Sequence, residues 1–334
     1  MPEQTPISPL FPSVSTVPDE SVTRSCRDRR NDAVFRWTTK TCALVVMLAL
    51  LGAAFSMLWG GRLAFHTFGW KFLWASDWDA VQKNFGALVP IYGTLVTALI
   101  AMLIAVPVSF GIAVFLTEIA PGWMRTPVAA AIELLAGIPS IIYGMWGLFV
   151  FVPWMAQHVF PWMNARLGPL PLIGPLFRGP PIGLGMLTAG IVLGIMVIPF
   201  ISSVMREVFT TVPNRLKESA HALGSTTWEV VWHVVLPYTR TAVIGGIFLG
   251  LGRALGETMA VTFVLGNAHQ LTASLLQPGN SIAATIANEF TEADSDVYLS
   301  SLIALGFLLF VVTFIVLGLA RLLLMRLAKR AGES

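Results

Sequence analysis

Charge is scarce in this sequence. Only 12% of its 334 residues are Asp, Glu, Lys or Arg, about half the share of a soluble globular chain. Cysteine is nearly absent. Cys26 lies in a polar stretch and Cys42 in an apolar one, so no disulfide framework, redox pair or metal-ligand spacing is present. No G-x-x-x-x-G-K-[ST] run occurs, which excludes ATP hydrolysis by a phosphate loop in this chain. The glycines at 250, 252 and 256 have the wrong spacing for a dinucleotide fingerprint and follow no strand. There is no sign of the inverted halves of a secondary transporter. The basic residues are dispersed, which speaks against a nucleic-acid face.

Apolar residues make up 55% of the chain, and they are clustered. Runs of 18 or more with almost no charge recur, and about 20 such residues span a bilayer as a helix. The fold expected is an all-α integral membrane protein with six transmembrane helices. Residues 1–40, rich in Ser, Thr and Pro and then basic, are expected to be a disordered tail. The first helix follows at 41–59. A basic region before an apolar run also suits a signal peptide, but no cleavage site leads into a soluble domain, so an uncleaved helix is expected. An outer segment covers 60–86. The transport domain covers 87–326, with spans near Ala87–Thr117, Pro127–Val152, Ile182–Val208, Thr241–Gly266 and Tyr298–Met325, and a short tail at 327–334. Pro107, Pro139 and Pro199 interrupt these spans. Such breaks survive where cavity water or neighbouring helices satisfy the freed backbone groups.

Basic residues give the orientation. Fifteen of the 21 lie in segments on the side of the N-terminus, five lie on the other side, and Arg253 lies inside the fifth span. Both termini are therefore expected inside. The outer segments differ in character. The 60–86 stretch holds Phe65, Phe68, Trp70, Phe72, Trp74 and Trp78, as expected at a membrane interface. Seven prolines stiffen 153–181, and 267–297 has acidic residues but no Lys or Arg.

The inner segment 213–237 is the most informative. It carries Lys217-Glu218-Ser219-Ala220-His221-Ala222-Leu223-Gly224 and ends Val234-Val235-Leu236-Pro237. This resembles the EAA loop of ABC importer permeases. Glu218, Ala220, Gly224, Leu236 and Pro237 stand at the expected spacings, with Ser219 and Val234 as mild replacements. The residues themselves suit two short helices. Pro213 opens the first, Gly224 ends it with a positive φ, and a second amphipathic piece from Trp228 stops at Pro237. The resemblance implies a knob that couples to a separate ATPase. An ordinary amphipathic loop on the membrane surface is the competing reading.

Arg253 and Glu257 are the other unusual feature. An arginine at mid-bilayer costs at least about 2.5 kcal/mol, so it faces a partner or a cavity. Continued as one helix, Gly246, Gly250, Arg253 and Glu257 form a single stripe. Arg253 would lower the barrier for an oxyanion, with Glu257 modulating its charge, or the two would form a structural ion pair. Glu133, two turns into the third span, is a second buried carboxylate that either joins the pathway or pairs structurally. Thr258, Met259 and Thr262 are expected to pack.

Three stretches then resemble the phosphate importer permeases of the PstC type: Gly86–Leu95, Gly137–Gly144 and Leu251–Ala260. The similarity runs from about residue 40 to the C-terminus. It implies the core of five helices (about 87–325) of a type-I importer and transport of inorganic phosphate by alternating access. It also implies a sister permease, two ATPase subunits that bind the ATP and magnesium, and a periplasmic phosphate-binding protein. Arg253 and Glu257 are the residues it marks for transport. No catalytic residue, metal site or cofactor of its own is expected. A permease for another oxyanion, such as sulfate, molybdate or a phosphonate, is one alternative. A membrane scaffold or phosphate-status sensor is the other.

Overall fold

A computed structural model describes residues 20–330 of the chain. Residues 1–19 of the expected tail and 331–334 of the expected C-terminal tail lie outside it. The chain divides into two units, Met1–Phe55 and Ser56–Ser334. Helix α1 covers Glu20–Gly60, so residues 20–40, expected to be disordered, continue the first span as helix. Its apolar side chains, among them Leu44, Val45, Val46, Met47, Leu48 and Phe55, are exposed.

In the second unit, α2 (Arg62–Phe68) and α3 (Lys71–Trp74) lead to a two-residue antiparallel hairpin of β1 (Trp78–Asp79) and β2 (Asn84–Phe85). Then follow α4 (Leu88–Ile119), α5 (Gly122–Ala136), α6 (Ser140–Arg166), α7 (Met186–Thr210) and α8 (Asn214–Ala222). Last come α9 (Thr227–Leu255), α10 (Met259–Leu265), α11 (Ile282–Glu289) and α12 (Asp296–Arg330). Among the described residues, six helical stretches are long and apolar enough to cross a membrane: Asn31–Gly60, Leu88–Ile119, Ser140–Arg166, Met186–Thr210, Thr227–Leu255 and Asp296–Leu322.

The core forms where α4 and α7 meet through small residues. Ala98, Ala101 and Ala105 of α4 are buried, as are Ala189, Gly190 and Gly194 of α7. Lipid offers no hydrophobic drive between helices, so close backbone approach and dispersion hold them. Gly190 shows how tight this is: a side chain there would collide with that of Ile100 of α4. Pro107 and Pro199 lie inside α4 and α7. Near the second, Ser109 donates to the Ile198 carbonyl at 3.1 Å, and Ser202 and Ser203 donate to that of Pro199 at 3.1 and 2.8 Å. Side-chain hydroxyls thus add hydrogen bonds to the carbonyls beside the proline.

Two expected spans are revised. The third does not run through Pro127–Val152. The segment Gly137-Ile138-Pro139 separates α5 from α6, because proline lacks the N–H and holds Ile138 out of the helical region. The apolar helix then continues to Arg166, into the stretch expected to be a stiff loop. Pro153 and Pro161 lie inside this helix, and each follows a π-type turn, Gly147–Phe151 and Met155–Val159, where the usual ladder of backbone hydrogen bonds is already interrupted. The fifth span does not run unbroken through Thr241–Gly266. It starts at Thr227, passes Pro237 without stopping, and ends at Leu255.

The aromatics of 60–86 also divide. Phe72 is fully buried, while Trp70 and Trp74 are 83% and 75% exposed. Phe65, Phe68, Phe85 and Trp78 join Phe72 in edge and stacked contacts that reach Tyr298 of α12. Most of these rings form a small core, and two tryptophans remain outside it.

Candidate functional site

Arg253 lies two residues before the end of α9, and its side chain is exposed. The guanidinium carbon stands 5.5 Å from the centre of the Phe200 ring of α7, a cation–π arrangement. Tyr143 donates from its hydroxyl to the Leu135 carbonyl at 3.0 Å, bridging the break between α5 and α6.

Glu257 does not continue the stripe of Gly246, Gly250 and Arg253. Gly246 and Gly250 are buried, against Val204 and Ile201 of α7. The helix then ends, and Glu257 falls in the turn that leads to α10. There its Oε1 accepts from the Ala260 N–H at 3.3 Å, capping an orphan donor of the new helix. Among the described residues, Arg253 and Glu257 form no ion pair. Thr258 opens α10, and Thr262 donates to its carbonyl at 2.7 Å; Met259 is exposed rather than packed.

Glu133 is not a deeply buried carboxylate. Its side chain is 55% exposed and pairs with Arg206 of α7 at 2.5 Å. Tyr143 thus bridges the break at 137–139 and Arg253 precedes the one at 256–258, while Phe200 and Arg206 stand six residues apart on α7. Arg206, Tyr143 and Phe200 were missed by sequence reasoning. Arg206 was counted only as a basic residue of the inner side, and nothing in a single sequence links it to Glu133.

The 213–237 segment is built as two helical pieces joined at a left-handed turn. Gly224 ends α8 with φ +92. Thr226 and Glu229 then form a capping box that starts α9, with Thr226 N–H donating to Glu229 Oε2 at 2.7 Å and Glu229 N–H to Thr226 Oγ1 at 3.4 Å. Glu218 and Pro237 are exposed, whereas Ala220 and Leu236 pack against the main core. The expected stop at Pro237 is absent: the proline lies inside α9, directly after a π-type turn at Val231–Val235 where the usual ladder of backbone hydrogen bonds is already interrupted. Leu223 is 90% exposed and Trp228 63%. Both leave apolar surface that this chain does not cover.

Residues 109–329 match the family described as "Binding-protein-dependent transport system inner membrane component". The chain belongs to this family. Relatives cover nearly all of it. A protein of Xylella fastidiosa strain Temecula1, called "Phosphate transport system permease protein PstC", is 62% identical over 326 residues, 98% of this chain and 99% of that one. A Pasteurella multocida protein of the same name is 58% identical, over 91% of this chain and 94% of its own. Among solved structures, a bacterial alginate ABC transporter in complex with an alginate pentasaccharide-bound periplasmic protein shares the fold at 17% identity. Its TM-score is 0.60, covering 90% of this chain and 98% of that one. The chain is thus a multi-pass, non-catalytic transport subunit with an ABC importer permease fold.

Proposed function

We propose that this permease carries inorganic phosphate inward across the bacterial cytoplasmic membrane, as half of the channel of an ATP-driven importer. The observation that carries the reading is identity above 60%, over nearly the whole chain, to a protein named as a phosphate permease. The buried and seated groups agree with it. With both termini inside, as the basic-residue bias favours, the 213–237 segment is cytoplasmic and meets an ATPase subunit. The segments at 60–86 and 267–297 then face the periplasm and a phosphate-binding protein. A sister permease completes the pathway, and two ATPase subunits bind and hydrolyse the ATP with its magnesium.

In this reading Arg253 is the cationic stop for the anion. Its charge is exposed within the chain and seated on Phe200 rather than neutralised by Glu257, so it is free to meet an oxyanion. Glu257 positions the turn after Arg253, and Glu133 acts by holding Arg206. ATP draws the coupling segments together and opens the cavity outward, and hydrolysis returns it inward. Purification in mild detergent tests the assembly: an ATPase and a second permease should accompany the chain. Uptake of labelled phosphate in cells carrying it, with sulfate, molybdate and phosphonates as competitors, tests the substrate. Competition by one of those anions and not by phosphate would overturn the assignment.

A further inference from the structure

We propose that the ion pair between Glu118 and Lys217 is the strut that ties the ATPase-docking segment to the transmembrane core. Lys217 Nζ stands 2.6 Å from Glu118 Oε1, and the side chains are only 14% and 9% exposed. Lys217 belongs to α8, the first half of the docking segment. Glu118 belongs to the last turn of α4, where the helix widens to a π-type turn over Phe115–Ile119. Such turns are recurrent at functional positions.

Helix α8 itself buries no residue, with Ala220 only partly packed. The pair is therefore a principal hold of α8 on the bundle. The second half of the segment touches the same helix. The rings of Trp232 and Phe110 lie 6.1 Å apart, so both halves bear on α4. Helix α4 in turn bonds α7 through Ser109 and Ile198, two residues before the Phe200 that seats Arg253. A shielded ion pair resists sliding, because neither charge can leave without stranding the other away from water. Displacement of α8 by an ATPase is thereby passed to the end of α4. Glu118 and Lys217 touch no substrate; they are positioning residues for transport.

The inference rests on the reading that 213–237 docks an ATPase. The test uses the whole importer in proteoliposomes with phosphate-loaded binding protein, measuring ATP hydrolysed and phosphate taken up together. Lys217→Met keeps the stem and removes the charge; Glu118→Gln does the same opposite it. In each, uptake per ATP should fall about tenfold while hydrolysis stays within about threefold of normal. The double exchange of Glu118→Lys with Lys217→Glu should restore the ratio. Parallel loss of uptake and hydrolysis, an unchanged ratio, or no rescue by the exchange would each overturn the strut. If the single variants do not assemble, Glu118→Asp, which withdraws the carboxylate by one methylene, decides: a lowered ratio supports the strut and a normal one refutes it. Failure of the unaltered chain to retain any ATPase would instead sink the docking reading.

Discussion

Glu257 accepts the backbone N–H of Ala260 and leaves Arg253, four residues earlier, to rest on the ring of Phe200. Helical spacing alone would have joined the two charges. The turn at Gly256 separates them, and this changes what each should do when replaced.

Replacement of Arg253 by Gln should lower phosphate uptake by about tenfold or more without loss of assembly, since the removed charge acts on the anion. Glu257→Gln retains an oxygen that can accept the Ala260 N–H, so its uptake should stay within about threefold of normal, with Glu257→Ala losing more. Equal loss in Gln and Ala variants, measured as initial rates, would restore Glu257 to the role of counter-charge.

Gly224 stands at φ +92 with open space where a side chain would begin. Gly224→Ala should therefore cost only the left-handed backbone strain, about 1–2 kcal/mol. Local relaxation of the turn would appear as weaker retention of the ATPase during purification. Full retention would show that the turn tolerates the strain or that the ATPase does not sense it.

Leu223 lies almost wholly outside the chain. Leu223→Asp should leave the folding of the chain unchanged, within about 0.5 kcal/mol, yet release the ATPase. Loss of membrane association or folding, with the ATPase still bound, would favour a segment lying on the lipid surface.

Glu289 joins three separate elements on the other side. It accepts from Trp78 at 2.6 Å and from Tyr298 at 2.7 Å, and its Oε1 is 2.7 Å from His269 Nε2. Burial pushes its carboxyl up, but these hydrogen bonds outweigh burial and hold it below its ordinary value of 4.5. A lowered carboxyl favours the folded state above the ordinary value and loses that contribution as pH falls through the folded one. The melting temperature in detergent should thus drop more steeply below about pH 4.5 than in Glu289→Gln. At neutral pH, Glu289→Ala should cost on the order of 2 kcal/mol, the scale of a charged hydrogen-bond set in a half-buried site. Equal acid sensitivity in both proteins would assign the effect to other carboxylates.

Much of this was legible in the chain itself. Apolar run length reveals membrane helices because the bilayer has a fixed thickness. Gly224 was legible as the end of the helix at 214–222, since local backbone chemistry sets where such a helix ends. Local rules failed at the breaks. Pro139 was visible, but whether a proline bends a helix or divides it depends on partners such as the Leu135 carbonyl and the Tyr143 hydroxyl. Pro237 was equally visible and divides nothing.

The sequence by itself determined the solvent this protein lives in, the number of its spans and the two-piece helical segment at 213–237. These follow from hydropathy and short-range backbone preference, which act within a few residues. Only the tertiary structure decided the partners of its charges: Arg253 on Phe200, Glu133 with Arg206, Lys217 with Glu118. The pairs join residues 53, 73 and 99 positions apart. In a medium that leaves charges few alternatives, it is the packing of α5 and α9 on α7, and of α8 on α4, that chooses which groups meet.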